Sequence, residues 1–469
     1  MKRNTFLLTL FTILFSFSSL FAQPKYIFYL IGDGMGPNHV NLAEIFTAET
    51  QGRIGYQPLI LSLFPYVGFA STNSLSHGVT DSSAGGTALA VGKKTKNGVI
   101  GMDSTATVSY KSIAYAAKEK GWKVGIATSV SVDHATPASF YANQPDRGHY
   151  YEIALQIPKS GFDFFAGSGF LKPTTTLKKE EATDVHVILE KSGYKIVKGK
   201  KAFLNKDYNN QKVVWINDDP KNTASLKFAI DQDTEDMTLE DITKGAIKHL
   251  SQNNDKGFFL MVEGGKIDWS SHSNDGGTTL HEVIDFQKTI QLAYDFYKQH
   301  PKETLIVVTA DHETGGLVIG NGSSKLNTAA LAHQKVSQGT LSSLIGNLRN
   351  DKPNASWDEV KQLIADNTGL FTHLKVSKGD EESLFKAYEK SFVNHVNETT
   401  KTLYANDDKL AALSIKILNK IASLSWGSTN HSAGYVPVYA IGEGAELFNN
   451  KMDNTDIPKK IAQAAQLNF

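Results

Sequence analysis

Glu263, Asp268 and His272 close a run, Phe258-Phe-Leu-Met-Val-Glu-Gly-Gly-Lys-Ile-Asp-Trp-Ser-Ser-His272, whose first five residues are apolar. The apolar part reads as a buried strand, and it delivers two carboxylates and an imidazole across what reads as one short loop. Such oxygen and nitrogen donors, brought to one point, are what a divalent metal takes. The pattern recurs twice. Tyr26–Ile31 runs into Gly32-Asp-Gly-Met-Gly36, which contains Asp33, and Thr304–Thr309 runs into Ala310-Asp-His-Glu-Thr-Gly-Gly316, which contains Asp311 and His312. A lone Asp at a strand end usually forms a turn or caps a helix. Three such ends in one sheet point instead to convergence on a metal cluster, at the carboxyl edge where open α/β sheets bind ligands.

Other candidates lie outside those three ends. In Gly78-Val-Thr-Asp-Ser-Ser-Ala-Gly-Gly-Thr-Ala-Leu-Ala-Val-Gly92 the small residues predict a closely packed helix with Ser82 at its amino end. Free N–H groups and the helix dipole favour an anion there, although Asp81, Ser82 or Ser83 would serve equally as a cap. Asp133-His-Ala-Thr-Pro-Ala-Ser139 holds His134 and Thr136, the latter open to a capping role. Arg147 follows, and a guanidinium suits bidentate contact with a phosphate. His431 precedes the last strand-like run.

The elements that must position these side chains are legible as apolar runs. Strands are predicted at Tyr26–Ile31, Val67–Thr72, Lys123–Ser129, Phe258–Val262, Thr304–Thr309 and Val436–Ile441. Helical periodicity appears between them at Lys111–Lys120, Leu239–Leu250 and His281–Tyr297. That alternation predicts an α/β fold with a doubly wound, mostly parallel central sheet and helices on both faces. Two polar stretches, about 168–220 and 320–425, break the rhythm and read as insertions on a single catalytic domain spanning 23–469.

Residues 1–22 have a basic start at Lys2 and Arg3, an apolar stretch and a small residue, Ala22, at a plausible cleavage point. They read as a signal peptide, which predicts an exported, periplasmic or secreted protein. No other segment approaches the length of a membrane span. Acidic and basic residues balance at 48 each, so nothing favours a nucleic-acid or membrane-surface partner. Cysteine is absent, which leaves His, Asp and Glu as metal ligands and excludes disulfide staples.

Taken in order, Gly32-Asp-Gly-Met-Gly36, Thr80-Asp-Ser82, Ala135-Thr-Pro137, Arg147, Val262-Glu-Gly264 with Asp268 and His272, Asp311-His312 and His431 resemble the alkaline phosphatase family. The resemblance spans roughly Tyr26 to Ile441. It implies two zinc ions and one magnesium ion: Asp268, His272 and His431 on one zinc; Asp33, Asp311 and His312 on the other; and Thr136 and Glu263, bridged by Asp33, on magnesium. It further implies Ser82 as a nucleophile that passes through a phosphoserine intermediate, and Arg147 as the phosphate clamp. Small-molecule phosphate monoesters would be the substrates, and family members are often homodimers.

Two positions depart from some bacterial members: His134, where Asp occurs, and Trp269, where Lys or His occurs. Both are expected near magnesium and phosphate, so they bear on the third metal and on substrate contact. The rival readings are a phosphodiesterase or sulfatase of the same superfamily, or a noncatalytic phosphate-binding protein. Ser82 is followed by Ser-Ala-Gly-Gly rather than the Pro-x-Arg turn of common sulfatases.

Overall fold

A computed structural model describes residues 23–469; the signal-peptide reading of 1–22 lies outside the described residues. Ten strands form the central sheet: β1 Tyr26–Gly32, β2 Tyr66–Ser71, β3 Lys123–Thr128, β4 Phe164–Gly167, β5 Tyr194–Lys198, β6 Lys212–Ile216, β7 Phe258–Gly264, β8 Thr304–Thr309, β9 Val436–Gly442 and β10 Asn450–Asp453. Their spatial order is β10-β2-β9-β8-β1-β7-β3-β4-β6-β5. Every residue of β1, β7 and β8 is buried. This explains their unbroken apolar character, because helices cover both faces of a parallel sheet. All pairings are parallel except those of β9, which runs antiparallel to both β2 and β8.

That reversal has a consequence for position. A parallel strand offers its carboxyl end at the ligand-binding edge; an antiparallel one offers its amino end there. The segment that leads into β9, with His431 in it, therefore arrives beside the ends of β1, β7 and β8. His431–Ser432 pairs directly with Glu313–Thr314, just beyond β8.

The two polar stretches behave differently. Residues 168–220, expected as an insertion, contribute β5 and β6 to the sheet itself, with β5 at its edge. Half-exposure of an edge strand explains the lysines in Tyr194–Lys198 that hide its role. Residues 320–425 do form a separate layer. The helices Gln338–Asp351, Trp357–Thr368, Lys378–Tyr388 and Lys409–Ile421 enclose their own apolar cluster, including Leu341, Ile345, Ile364, Leu384 and Ile415. A short hairpin, Thr399–Lys401 with Asn406–Asp408, projects from it. No helix among the described residues is long and apolar enough to cross a membrane.

Candidate metal and phosphate site

Asp33 sits just past β1, in a turn closed by Gly34 at φ +72°; a Cβ there would lie 2.8 Å from Thr314 Oγ1, so only glycine fits. Glu263 is within β7 rather than after it. Asp268 and His272 were expected on a short loop, but they lie one turn apart on a helix, Lys266–His272. The pair Gly264-Gly265 conceals the start of this helix in the sequence. Asp311 and His312 follow β8 directly. The structure thus brings Asp33, Glu263, Asp268, His272, Asp311, His312 and His431 together, each at 0–1 % exposure except the half-buried His431.

Three groups of donor atoms within 4.8 Å of one another emerge: Asp268, His272 and His431; Asp33, Asp311 and His312; and Asp33, His134 and Glu263. The hydrogen bonds around them fix the imidazole tautomers. His272 Nδ1 lies 2.6 Å from the Thr429 carbonyl oxygen and His431 Nδ1 lies 2.9 Å from that of Thr80, so both Nδ1 atoms must be donors. Their Nε2 lone pairs then face each other at 3.1 Å, and lie 3.3 Å and 3.5 Å from Asp268 Oδ1. In the second group Thr314 donates its proton to Asp268, so its oxygen accepts from His312 Nδ1 at 3.2 Å. His312 Nε2 is left with its lone pair toward Asp33 Oδ1 at 3.3 Å and Asp311 Oδ2 at 3.4 Å. Lone pairs and carboxylate oxygens facing one another repel unless a cation sits between them.

The remaining polar atoms agree. Both oxygens of Asp33, Glu263 Oε1 and Asp268 Oδ2 are buried with no hydrogen-bond partner among the described residues. Burial, reinforced by the other carboxylates, holds Asp33 well above the usual carboxylate range. Burial likewise raises Glu263 to about 8, against a hydrogen bond from Thr128. Asp311 is raised to about 7 by burial and by Asp268. Burial acts upward on Asp268 too, but the surrounding imidazoles, His272 foremost, bring it below the ordinary range. Protein alone does not balance four buried carboxylates, and the donor set of His, Asp and Glu fits divalent cations.

Ser82 is fully buried at the first position of the helix Ser82–Val91, its hydroxyl 3.2 Å from His312 Nε2. Gly85 lets that helix approach the cluster: a Cβ there would lie 2.9 Å from the Asp311 carbonyl oxygen. Asp81 is the cap, accepting from Ala84 N at 3.0 Å. Its other oxygen accepts from Gly98 N at 3.0 Å and lies 3.4 Å from Arg147 Nη1. One carboxylate therefore orients both the helix that carries Ser82 and the guanidinium, a role the sequence reading left unassigned. Thr136 lies inside the short helix Ala135–Ala138, with His134 at the N-cap position, so it is not itself the cap. Its hydroxyl donates to Asp311 Oδ2 at 3.3 Å. His134 Nε2 approaches Arg147 Nη2 at 3.4 Å, and burial, then Arg147, lowers its pKa to about 3.

Trp269 stacks on Tyr404, at the tip of the hairpin in the 320–425 layer, with centroids 4.3 Å apart and planes 10° from parallel. Nothing in the sequence around Tyr404 marks it, since only the fold carries the hairpin to the site. These two rings also line a cleft of about 740 Å³ that none of the metal-cluster residues borders. Two of its charged lining residues are already engaged: Lys266 Nζ donates to the Leu226 carbonyl at 2.6 Å, and Asp275 accepts from Gln334 and Gln338. None of the metal-type donor groups among the described residues lies in this cleft.

The family model "Alkaline phosphatase" matches residues 24–189 and 165–467. Alkaline phosphatase 4 of Bacillus subtilis (strain 168) is 32 % identical over 450 residues, covering 93 % of this chain and 87 % of its own. Alkaline phosphatase 3 of the same strain is 32 % identical over 457 residues, covering 95 % and 90 %. Among solved structures, the cold-active alkaline phosphatase of the psychrophile Shewanella sp. aligns with a TM-score of 0.78 at 28 % identity, covering 94 % of this chain and 99 % of its own. A variant of the TAB5 alkaline phosphatase, solved with Mg bound in its M3 site, aligns with a TM-score of 0.66 at 26 % identity, covering 96 % and 100 %.

Proposed function

Because the chain belongs to the alkaline phosphatase family and is a hydrolase of that family, we propose that it hydrolyses phosphate monoesters through a phosphoserine on Ser82. The observation that carries this reading is the position of Ser82 Oγ, 3.2 Å from His312 Nε2, at a helix amino end that faces the metal-type donors. The two zinc positions would be held by Asp268, His272 and His431 and by Asp33, Asp311 and His312, and the magnesium position by Asp33, Thr136 and Glu263. Bound there, such cations lower the pKa of a hydroxyl or water and offset charge on the attacking and leaving oxygens.

The protein's own groups do the rest. Ser82 Oγ attacks phosphorus, the bond from phosphorus to the alcohol oxygen breaks, and the alcohol departs with a proton. Water then attacks the phosphoserine, releasing inorganic phosphate and restoring the hydroxyl. Arg147, aimed by Asp81, and the N–H groups of the Ser82–Val91 helix neutralise the equatorial oxygens. His312 is poorly placed as a general base. A Ser–His pair wants a carboxylate on the far ring nitrogen, whereas here the carboxylates crowd Nε2 and a threonine holds Nδ1. His134 adds a nitrogen donor beside Asp33 and Glu263, so the third position is suited to zinc as well as magnesium. Export is part of the same reading and is supported by the leader-like residues 1–22.

The purified protein is expected to hydrolyse a chromogenic phosphate monoester, to lose activity to a chelator, and to regain it with zinc plus magnesium. Ser82→Ala should cost at least roughly a thousandfold in kcat. Full activity in that variant would sink the mechanism. Faster turnover of a diester or a sulfate ester than of the monoester would transfer the assignment to those substrates.

A further inference from the structure

Tyr404 is the one aromatic residue that the 320–425 layer sends into the site, and its surroundings are unusual in what they lack. Its ring is held against Trp269 and meets His272 at 5.4 Å and His134 at 6.1 Å between centroids. Its hydroxyl is buried and has no hydrogen-bond partner among the described residues, and the same holds for Trp269 Nε1. A buried donor left without an acceptor is unfavourable.

None of the side chains around Tyr404 accepts its proton. Its ring lies 6.1 Å from that of His134, whose Nε2 is 3.4 Å from Arg147 Nη2. A guanidinium carries donors only, and so does an indole nitrogen. His134 Nε2 already faces Arg147. Asp81 in turn ties Arg147 to the amino end of the Ser82–Val91 helix. An anion with several acceptor oxygens complements donors of these kinds.

We propose that Tyr404 is a phosphate-binding residue: its hydroxyl donates to a phosphoryl oxygen beside Arg147, while Trp269 fixes its ring as a wall of the pocket. This builds on the phosphomonoesterase reading and assigns to the insertion a direct part in substrate binding. Tyr404→Phe keeps the stacked ring and removes only the O–H. In the zinc- and magnesium-loaded enzyme, Ki for inorganic phosphate and KM for a monoester should each rise about tenfold. The change in kcat should stay within roughly threefold, and the thermal midpoint without phosphate should not fall. Calorimetry with inorganic phosphate on Ser82→Ala, with and without Tyr404→Phe, should give the same tenfold weakening where no turnover occurs. Phosphate affinity within about twofold of the parent would overturn the proposal and leave Tyr404 as packing for the hairpin. If the parent enzyme fails to hydrolyse monoesters, the phosphomonoesterase reading falls by itself, and the calorimetric difference still decides the role of Tyr404.

Discussion

The sheet edge that carries the clustered donors and the 320–425 layer reach the same point by opposite physical means. The edge gathers buried like charges, Asp33, Glu263, Asp268 and Asp311, on strands and a helix locked into the main core. Its order without cations is a liability that surrounding packing must bear. The layer instead rests on a modest apolar cluster of its own and sends out one hairpin. The contrast suggests that the chemistry is built where the fold is most constrained, and that the fit to substrate comes from a part that can vary without disturbing the metals.

The comparison can be broken most forcefully by removing the cations and changing pH. Glu263 and Asp311 have folded pKa values raised to about 8 and about 7, above their ordinary ones. Raised carboxylates favour the fold while protonated. In the chelated protein the stability owed to these two groups should therefore be full below about pH 4 and be lost as pH rises through about 7 and 8. Asp33, raised further, carries the fall to higher pH, whereas the lowered Asp268 acts in the opposite sense at the acid end. Hydrogen exchange should locate the loss at the ends of β1, β7 and β8. Equal loss in the helices between Gln338 and Ile421 would mean that the two regions are one cooperative unit.

A smaller and opposite effect is expected from Ile415→Ala, which truncates a side chain 1 % exposed in the layer's own cluster. It should cost about 2–5 kcal/mol of local stability, raising KM while zinc content, measured by elemental analysis, stays the same. Loss of metal in that variant would erase the proposed division. The subtlest change is His134→Asp, which exchanges nitrogen for oxygen at the third group. Elemental analysis after equilibration with both ions should show magnesium gained relative to zinc at one position per chain, with the other two unaffected.

Most of the edge was legible in the sequence because full burial writes itself as unbroken apolar runs that end in donors. Phe258–Val262 and Thr304–Thr309 are strands as expected. What escaped was geometry with no local signature. The helical setting of Asp268 and His272 was masked by Gly264-Gly265, and the place of β5 in the main sheet by its edge lysines. The direction of β9 depends on its neighbours, not on its own residues. Asp81 looked like any cap, since its bond to Arg147 joins positions far apart in the chain. Tyr404 sits in a polar stretch with no periodicity, so only tertiary structure could associate it with Trp269.

The antiparallel course of β9 also bears on kinetics. Asp268 and His272 follow the seventh strand, and His431 joins them only when β9 is inserted between β8 and β2. Contacts of such long sequence separation form late, so the metal groups are completed after most of the sheet has assembled. Cations that bind only the finished arrangement stabilise the native state without helping the transition state. Their effect should fall on the rate of unfolding, making the ions a clasp that lengthens the lifetime of the folded enzyme more than it hastens its formation.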